Sequence, residues 1–539
     1  MKKLISLLLV LAIVFSFCAC SKINRLFSKN AEQSFSYPIA QMPTTLDPQI
    51  ASGEAELIII ENCMEGLVRL NAAGEVEPAI AQSWEISADG LRYTFHLNSS
   101  ARWAFDKEDA PEALQNFNPT ITAKDFVFAV SRAVQKQTAA PDFQSVSLIK
   151  NALKIHSSGK SDTSSLGIKA PDDSTLVITL ESANSAFLRS LTGAVFMPCS
   201  EEFFEYCAGR YGRQSRYFLS NAGFELRSWN ETNLVMRKNE DYALSHPAKA
   251  DTVTLYRDEN AFESFKNNNY DALAISDDNI DEALADKSLR VQTYDDTVWT
   301  LAFNLKSQLC GNKNCRRALA ACLDTIGLTA PEWCAVAPGI VPNICTVGTQ
   351  CFLSARKEAT FVAYAPDKAA ALYESFSQSY MAQEDVKEMP VMRFLCTAPF
   401  EQCAKQIAQG WQQHFGTGFE VRISVLGIDE LTEAIDGGEF DAVLMPMSAD
   451  TEDALVFLKK FAAQNVFSYQ SAAYNRLINS GRAELKKCIA CENALLADAV
   501  VYPLFTSNSY YVSRNQVEGI YFYAFGGKVN FLNAERTSR

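Results

Sequence analysis

The sequence predicts a layered α/β protein of two or three domains, and three observations lead there. Short stretches of period two alternate along the chain with longer stretches of helical period, the pattern of sheets covered by helices. Residues 92–97, Arg-Tyr-Thr-Phe-His-Leu, alternate as a half-buried strand should, and parts of 233–238 and 419–425 do the same. The chain of 539 residues is 48% hydrophobic and 11% aromatic, which is a packed globule too long for a single core.

Taken in order, the chain opens with a leader. Lys2 and Lys3 precede an apolar run from Leu4 to Phe17 that only Ser6 and Ser16 interrupt. A basic start before a short apolar run is the pattern of a secretory signal, and the run is too short to span a bilayer as a helix. Ala19 then precedes Cys20, which is similar to a bacterial lipobox with Phe17 standing where Leu is usual. The expectation is cleavage after residue 19, lipidation of Cys20 and a polar tether over 20–33. The alternative is an ordinary secreted protein with an incidental cysteine.

Two helices carry local signals. Thr122 is a good N-cap, Asp125 stands three residues on, and Ile121 and Phe126 flank the start as a hydrophobic staple. Phe126, Val127, Val130 and Val134 then form an apolar stripe. Further along, Phe400, Cys403, Ile407, Trp411 and Phe415 recur every three or four residues, and Gly416 stops the helix. The polar stretch 157–165 reads as a surface loop. No internal repeat and no low-complexity tract occurs.

The net charge of −14 argues against a nucleic acid partner, which would need a basic face. Thirteen cysteines lie beyond Cys20, an odd number. Cys310 with Cys315, and Cys345 with Cys351, are close enough in sequence to pair. Most of the others sit in apolar runs as small hydrophobes. Cys488 and Cys491 have C-x-x-C spacing without a second pair at zinc distance, and read as helix core. His96, His156, His246 and His414 are scattered, and no triad or metal cluster surrounds them. Gly159-Lys160-Ser161 ends like a phosphate loop, but Lys154 stands where the first glycine is required. Ser147 and Lys150 have S-x-x-K spacing with no Lys-Thr-Gly to follow. The expectation is a protein without enzymatic activity, cofactor or metal.

Several segments in order resemble one family, the peptide-type solute-binding proteins of ABC importers. Thr45-Leu46-Asp47-Pro48 and Glu65-Gly66-Leu67-Val68 come first. Residues 74–97, GEVEPAIAQSWEISADGLRYTFHL, are the most diagnostic stretch, similar to a signature in which P-x-L-A-x-S-W leads into D-G-x-x-Y-T-F-x-L. Trp103, the segment 122–126, 221–224 with Trp229, Asn304, 316–319 with Asp324, Phe440-Asp441 and 502–505 continue the match to about Gly526.

The resemblance implies a two-lobed clamshell, like a periplasmic binding protein, with an additional peripheral domain. Lobe I would comprise 34–70, 187–295 and 505–539, the peripheral domain 71–186, and lobe II 296–504. Lobe closure about hinge strands would trap the ligand. Residues 448–453 with Phe457 and Leu458 resemble the family segment W-x-A-D-x-x-[DE]-P-x-x-F-L, whose first acid pairs with a peptide's amino terminus; here that acid is Asp450. Met447 replaces the Trp and Ala454 the Pro. A bland reading of Asp450 is a solvated loop acid or a helix N-cap. The strand ending at Met447 would offer backbone groups at the cleft edge, and Ser448 would follow it into the site. Ser52, Gly53 and Glu54 would face them from lobe I, and Trp299 would line the cleft near the hinge or belong to the core.

The implied function is a monomeric lipoprotein on the extracytoplasmic face of the cell membrane, at the cell surface or in the periplasm. It would capture oligopeptides and deliver them to the permease and ATPase subunits of an ABC importer. Alternatives are a non-peptide solute such as a nickel complex, haem or a sugar, or a signalling or adhesion lipoprotein that no longer transports.

Overall fold

The computed structural model describes residues 33–71, 74–104, 117–159, 161–184, 186–275, 279–356, 363–383, 386–416, 418–462, 467–479, 484–525 and 527–537. The leader, Cys20 and the tether up to residue 32 lie outside them, as does Gly526. Among the described residues no helix is long and apolar enough to cross a membrane.

Three larger sheets organise the chain. The strand Ser34–Ile39 lies parallel to Thr252–Arg257, which pairs antiparallel with Asn233–Lys238, and that in turn with Phe224–Trp229. The parallel pair joins segments more than two hundred residues apart, and buried Asp271 fixes it by accepting the Ser36 amide at 2.8 Å. The second sheet is antiparallel, in the order Ala81–Ile86, Arg92–Leu97, Thr175–Thr179, Ile168–Lys169. Here the alternation at 92–97 takes effect: Tyr93, Phe95 and Leu97 are buried.

The helix Ala123–Val134 packs on this second sheet. Asp125 accepts from the Thr122 amide at 2.7 Å and from its hydroxyl at 3.0 Å, so the cap read in the sequence is formed. Phe126, Val130 and Val134 are buried, whereas Val127 is half-exposed beside the stripe. One continuous apolar core runs through both of these sheets, and Val529, Phe531 and Leu532 near the C-terminus join it.

The third sheet has seven strands. Its order is Ala272–Ile275, Val501–Arg514, Leu289–Phe303, Ala442–Ser448, Met392–Cys396, Val421–Val425, with Ala335–Val336 also on Val501–Arg514. The last three strands of that path are mutually parallel and the others antiparallel. Val421–Val425 is an edge strand, which explains its half-exposed pattern. The helix Glu401–Phe415 lies against this sheet, Trp411 donates to the Leu319 carbonyl at 3.0 Å, and Gly416 ends the helix at φ +89°. Two adjoining cores fill the second lobe, one around Trp411, Phe394 and Trp299, the other around Met447, Leu458 and Leu496.

Two expectations change. All thirteen cysteines beyond Cys20 are free thiols, so Cys310 is not bonded to Cys315 nor Cys345 to Cys351. Cys310 and Cys315 are fully buried among apolar side chains and serve as core hydrophobes. Cys488 and Cys491 are likewise fully buried, in the helix Leu485–Ala497, and burial pushes their thiols up to about 12 and about 11. The stretch 157–165 is not loop throughout: residues 157 and 158 close the helix Ala152–Ser158, which Gly159 caps at φ +65°.

An ion pair is locked inside the second lobe. Arg356 and Glu492 meet at 2.5 Å with side chains 3% and 0% exposed. Glu492 also accepts the Ile340 amide at 3.0 Å, and Arg356 donates to the Pro338 carbonyl at 2.6 Å. A Cβ on Gly339 would stand 2.2 Å from the guanidinium, so only glycine fits between them. Removing one partner strands a buried charge, and Glu492→Ala should lower unfolding stability by about 3–5 kcal/mol in denaturant melts. A second check uses pH. Desolvation outweighs the bonds from Thr122 and raises Asp125 from 3.8 to about 6. An acid with a raised folded pKa contributes stability below its unfolded pKa and loses it as pH rises through the folded one. Melts between pH 3.5 and 7 should therefore show a downward component centred on that window, which Asp125→Asn removes.

Candidate ligand-binding site

The lobes are joined by two long strands, Leu289–Phe303 and Val501–Arg514, paired antiparallel along most of their length. Their ends at Leu289 and Arg514 border a small cluster around Phe265 and Val512, and their other ends enter the second lobe's cores. The pairing slips between Tyr294 and Thr297 and again between Trp299 and Thr300. A bulge kinks a strand and increases its twist. Asp296 fills the first slip: its carboxylate accepts from the Ser509 hydroxyl at 2.7 Å, the Ser509 amide at 3.1 Å and the Thr297 hydroxyl at 3.0 Å. Burial raises its pKa despite these donors.

Ser448 emerges directly beside this bulge. The register sets Thr297 opposite Ser448, Val298 opposite Met447 and Trp299 opposite Pro446, and the hydroxyls of Thr297 and Ser448 bond at 2.8 Å. On its other side Ala442–Ser448 pairs with Met392–Cys396 only at Ala442 and Val443. From Leu444 onward that edge has no strand partner among the described residues, and Pro446, which lacks an amide proton, is tolerated there. The strand is thus paired along its length on one side and, among the described residues, only at Ala442 and Val443 on the other.

The loop after Ser448 is held from three directions. Ala449 donates to the Asp296 carbonyl at 2.9 Å, Thr346 donates its amide to the Glu452 carbonyl at 2.5 Å, and Asp453 caps the helix Ala454–Lys459 through the Leu455 amide at 2.7 Å. The N-cap is thus Asp453. Asp450 instead points outward, its side chain 69% exposed, and pairs with Lys460 at 2.9 Å. Met447 is buried in the lobe's core. Trp299 is buried too, with its indole nitrogen donating to the Ser507 hydroxyl at 3.0 Å and its ring 4.0 Å from that of Phe400.

The opposing loop is built by Glu56. One of its oxygens accepts from the Thr44 amide and hydroxyl and the Thr45 amide, at 2.9–3.2 Å. The other accepts from the Ser52 and Gly53 amides at 2.8 and 2.9 Å. Burial alone would raise its pKa, but the amides of Gly53, Ser52 and Thr44 outweigh burial and hold it below the ordinary range. Ser52, Gly53 and Glu54 are exposed at the start of the helix Glu54–Cys63. Sequence periodicity gave no sign of Glu56; its distance of three from Gly53 is the only clue, a capping-box spacing.

Glu54 combines exposure with a pKa raised by desolvation. Those properties coexist where solvent reaches the side chain while nearby protein displaces much of the surrounding bulk water. A Cβ on Gly527 would lie 3.2 Å from the Glu54 side chain. Two residues before Gly527, Phe525 packs against the core containing Met447 and Ala449. The C-terminal segment thus spans from the Glu54 loop to the second lobe. It is anchored by Glu61, which accepts from the Tyr523 hydroxyl at 2.6 Å, and by Asn62, which bonds the 529–531 backbone. Across the gap, Arg189 pairs with Glu452 at 3.1 Å. A separate polar cavity of about 670 Å³ lies at the far end of Ala442–Ser448, where two of its charged groups, Arg393 and Asp441, pair at 3.1 Å.

A model of the family described as "Bacterial extracellular solute-binding proteins, family 5 Middle" matches residues 75–468. The chain is 24% identical over 501 residues to the protein named dipeptide-binding protein DppE of Bacillus subtilis, covering 89% of this chain and 87% of that one. It is 22% identical over 564 residues to the oligopeptide-binding protein OppA of the same organism, covering 98% of each. The substrate-binding domain of an oligopeptide ABC transporter from Bacillus anthracis superposes with a TM-score of 0.74 at 23% identity, over 94% of this chain and 99% of that one. The two-lobed α/β fold expected from the sequence is thereby shown.

Glu56 gives this site a pH signature. A lowered folded pKa contributes stability above the unfolded value, here 4.5, and that stability is lost as pH falls through the folded one. Glu56→Gln should reduce stability at pH 7 and flatten the acid limb of the melting profile, and it should loosen ligand binding by releasing Ser52 and Gly53.

Proposed function

The chain belongs to the bacterial extracellular solute-binding proteins of family 5, and from that premise we propose that it captures peptides outside the cytoplasmic membrane and delivers them to an ABC importer. The observation that carries the peptide reading is the strand edge from Leu444 to Ser448, open beside the inter-lobe bulge. A carrier of varied peptides must bind what all of them share, and an open edge offers backbone pairing that ignores side-chain identity. Relatives named as dipeptide- and oligopeptide-binding proteins along nearly the whole chain support the same class of solute.

In this reading the ligand lies between two loops. Met447, Ser448 and Asp450 bound it on one side, with Ser52, Gly53 and Glu54 on the other. Among the described residues Glu54 has no hydrogen bond or ion pair, and in this reading it supplies a charge for the ligand. Trp299 backs the site from the core, setting the position of the bulged strand. In this reading lobe I comprises 34–70, 187–295 and 505–539, the peripheral domain 71–186 and lobe II 296–504, with 289–303 and 501–514 as hinge strands and Arg189–Glu452 as a contact made on closure. The protein acts by binding and release, without catalysis. Cys20 carries the lipid that tethers a monomeric body to the membrane, and permease and ATPase subunits receive the peptide.

A ligand that binds only the folded state raises its melting temperature by mass action. The mature body melted against a pool of mixed peptides should show that rise, with peptides recovered by mass spectrometry. No shift from any peptide, in a protein that melts cooperatively, overturns the assignment. Glu54→Ala should weaken peptide binding about tenfold, a loss of ~1.4 kcal/mol, without lowering the ligand-free melting temperature.

A further inference from the structure

The loop acid that the resemblance assigns to the ligand's amino terminus already holds an ammonium group, and it is the chain's own. Lys460, directly after the helix Ala454–Lys459, brings its Nζ back to the loop. There it meets Asp450 Oδ2 at 2.9 Å and donates to the Ser448 carbonyl at 2.6 Å. The same nitrogen lies 5.7 Å from the centroid of the Phe457 ring. A carboxylate, a carbonyl and an aromatic face are the three kinds of partner a primary ammonium takes. The Lys460 side chain is 29% exposed, so the cradle is filled from the protein side while Asp450 stays open to solvent.

We propose that Lys460 plugs the ammonium cradle of the 448–453 loop, so that this protein selects peptides whose amino terminus carries no charge, N-acylated peptides being the class. The inference rests on the peptide-capture reading above. The physical reason is competition. A free α-ammonium brought to Asp450 must either expel Lys460 from two contacts or share that carboxylate with a second cation. An acylated terminus meets neither cost, because a neutral amide needs only a backbone partner. Lys460 also takes up the Ser448 carbonyl, an acceptor that an incoming amine would otherwise use. A cation held here tolerates a neutral group and repels a positive one, which is specificity by exclusion.

The test uses matched peptide pairs of one sequence, free and N-acetylated, titrated calorimetrically into the wild type, Lys460→Met and Lys460→Arg. The wild type should bind the acetylated form at least as tightly as the free form. Lys460→Met vacates Asp450 and should shift preference toward the free amine by about tenfold or more, ~1.4 kcal/mol per factor of ten. Lys460→Arg keeps the cation and should retain the wild-type preference. A wild type that binds the free form tenfold more tightly, or a Lys460→Met ratio equal to the wild type's, overturns the proposal. A peptide-independent arm separates this from the functional reading. Butylammonium should raise the melting temperature of Lys460→Ala and leave the wild type unchanged; the absence of that difference overturns the plugged cradle. If the amine arm succeeds while no peptide of either form binds any variant, the peptide-capture reading fails and the N-acyl selection built on it falls, leaving only the internal cradle.

Discussion

Everything at the cleft depends on one antiparallel pairing, that of Leu289–Phe303 with Val501–Arg514. These strands are the backbone links through which the lobes share a sheet, and the slip between Tyr294 and Thr297 is where that sheet bends. The bulge would leave polar groups unmatched, and Asp296 supplies the acceptors. It gathers the Ser509 amide and hydroxyl and the Thr297 hydroxyl, and its own carbonyl receives Ala449. The second lobe's site loop therefore hangs directly on the joint. The 448–453 loop is tied to the bulge by that hydrogen bond.

The site is arranged as an economy of carboxylates in different states. Glu56 is spent entirely on backbone amides and shapes a loop. Glu452 reaches across to Arg189, and Asp453 caps a helix. Asp450 is occupied by Lys460. Glu54 alone of these is desolvated and, among the described residues, without a hydrogen bond or ion pair. Identical functional groups take five roles because neighbours differ; among them burial raises the pKa of Glu54 and backbone amides lower that of Glu56.

Much was legible in advance, and for local reasons. Period-two alternation fixed Arg92–Leu97 as a strand, and the Thr122–Asp125 spacing fixed the start of a helix, because both depend on residues within a few positions of each other. The signature 74–97 and the later matches placed the chain in its family, since order along a sequence survives where identity falls to 24%. What escaped were partners far apart. Nothing near Lys460 or Asp450 announces their pairing, because they lie ten residues apart with a loop and a helix between them. Arg356 and Glu492, and Asp271 with Ser36, are separated by far more. The cysteines escaped for another reason. Spacing shows which thiols are near in sequence, but packing decides that Cys310 and Cys315 lie free in an apolar core.

The sequence by itself determined the α/β class, the positions of its best-signalled elements and the family, and it singled out the stretch 448–453. The tertiary structure decided which charges in that stretch are free. A carboxylate's availability depends on what folds against it, and for Asp450 that is a lysine brought round by a helix, a contact no local pattern encodes.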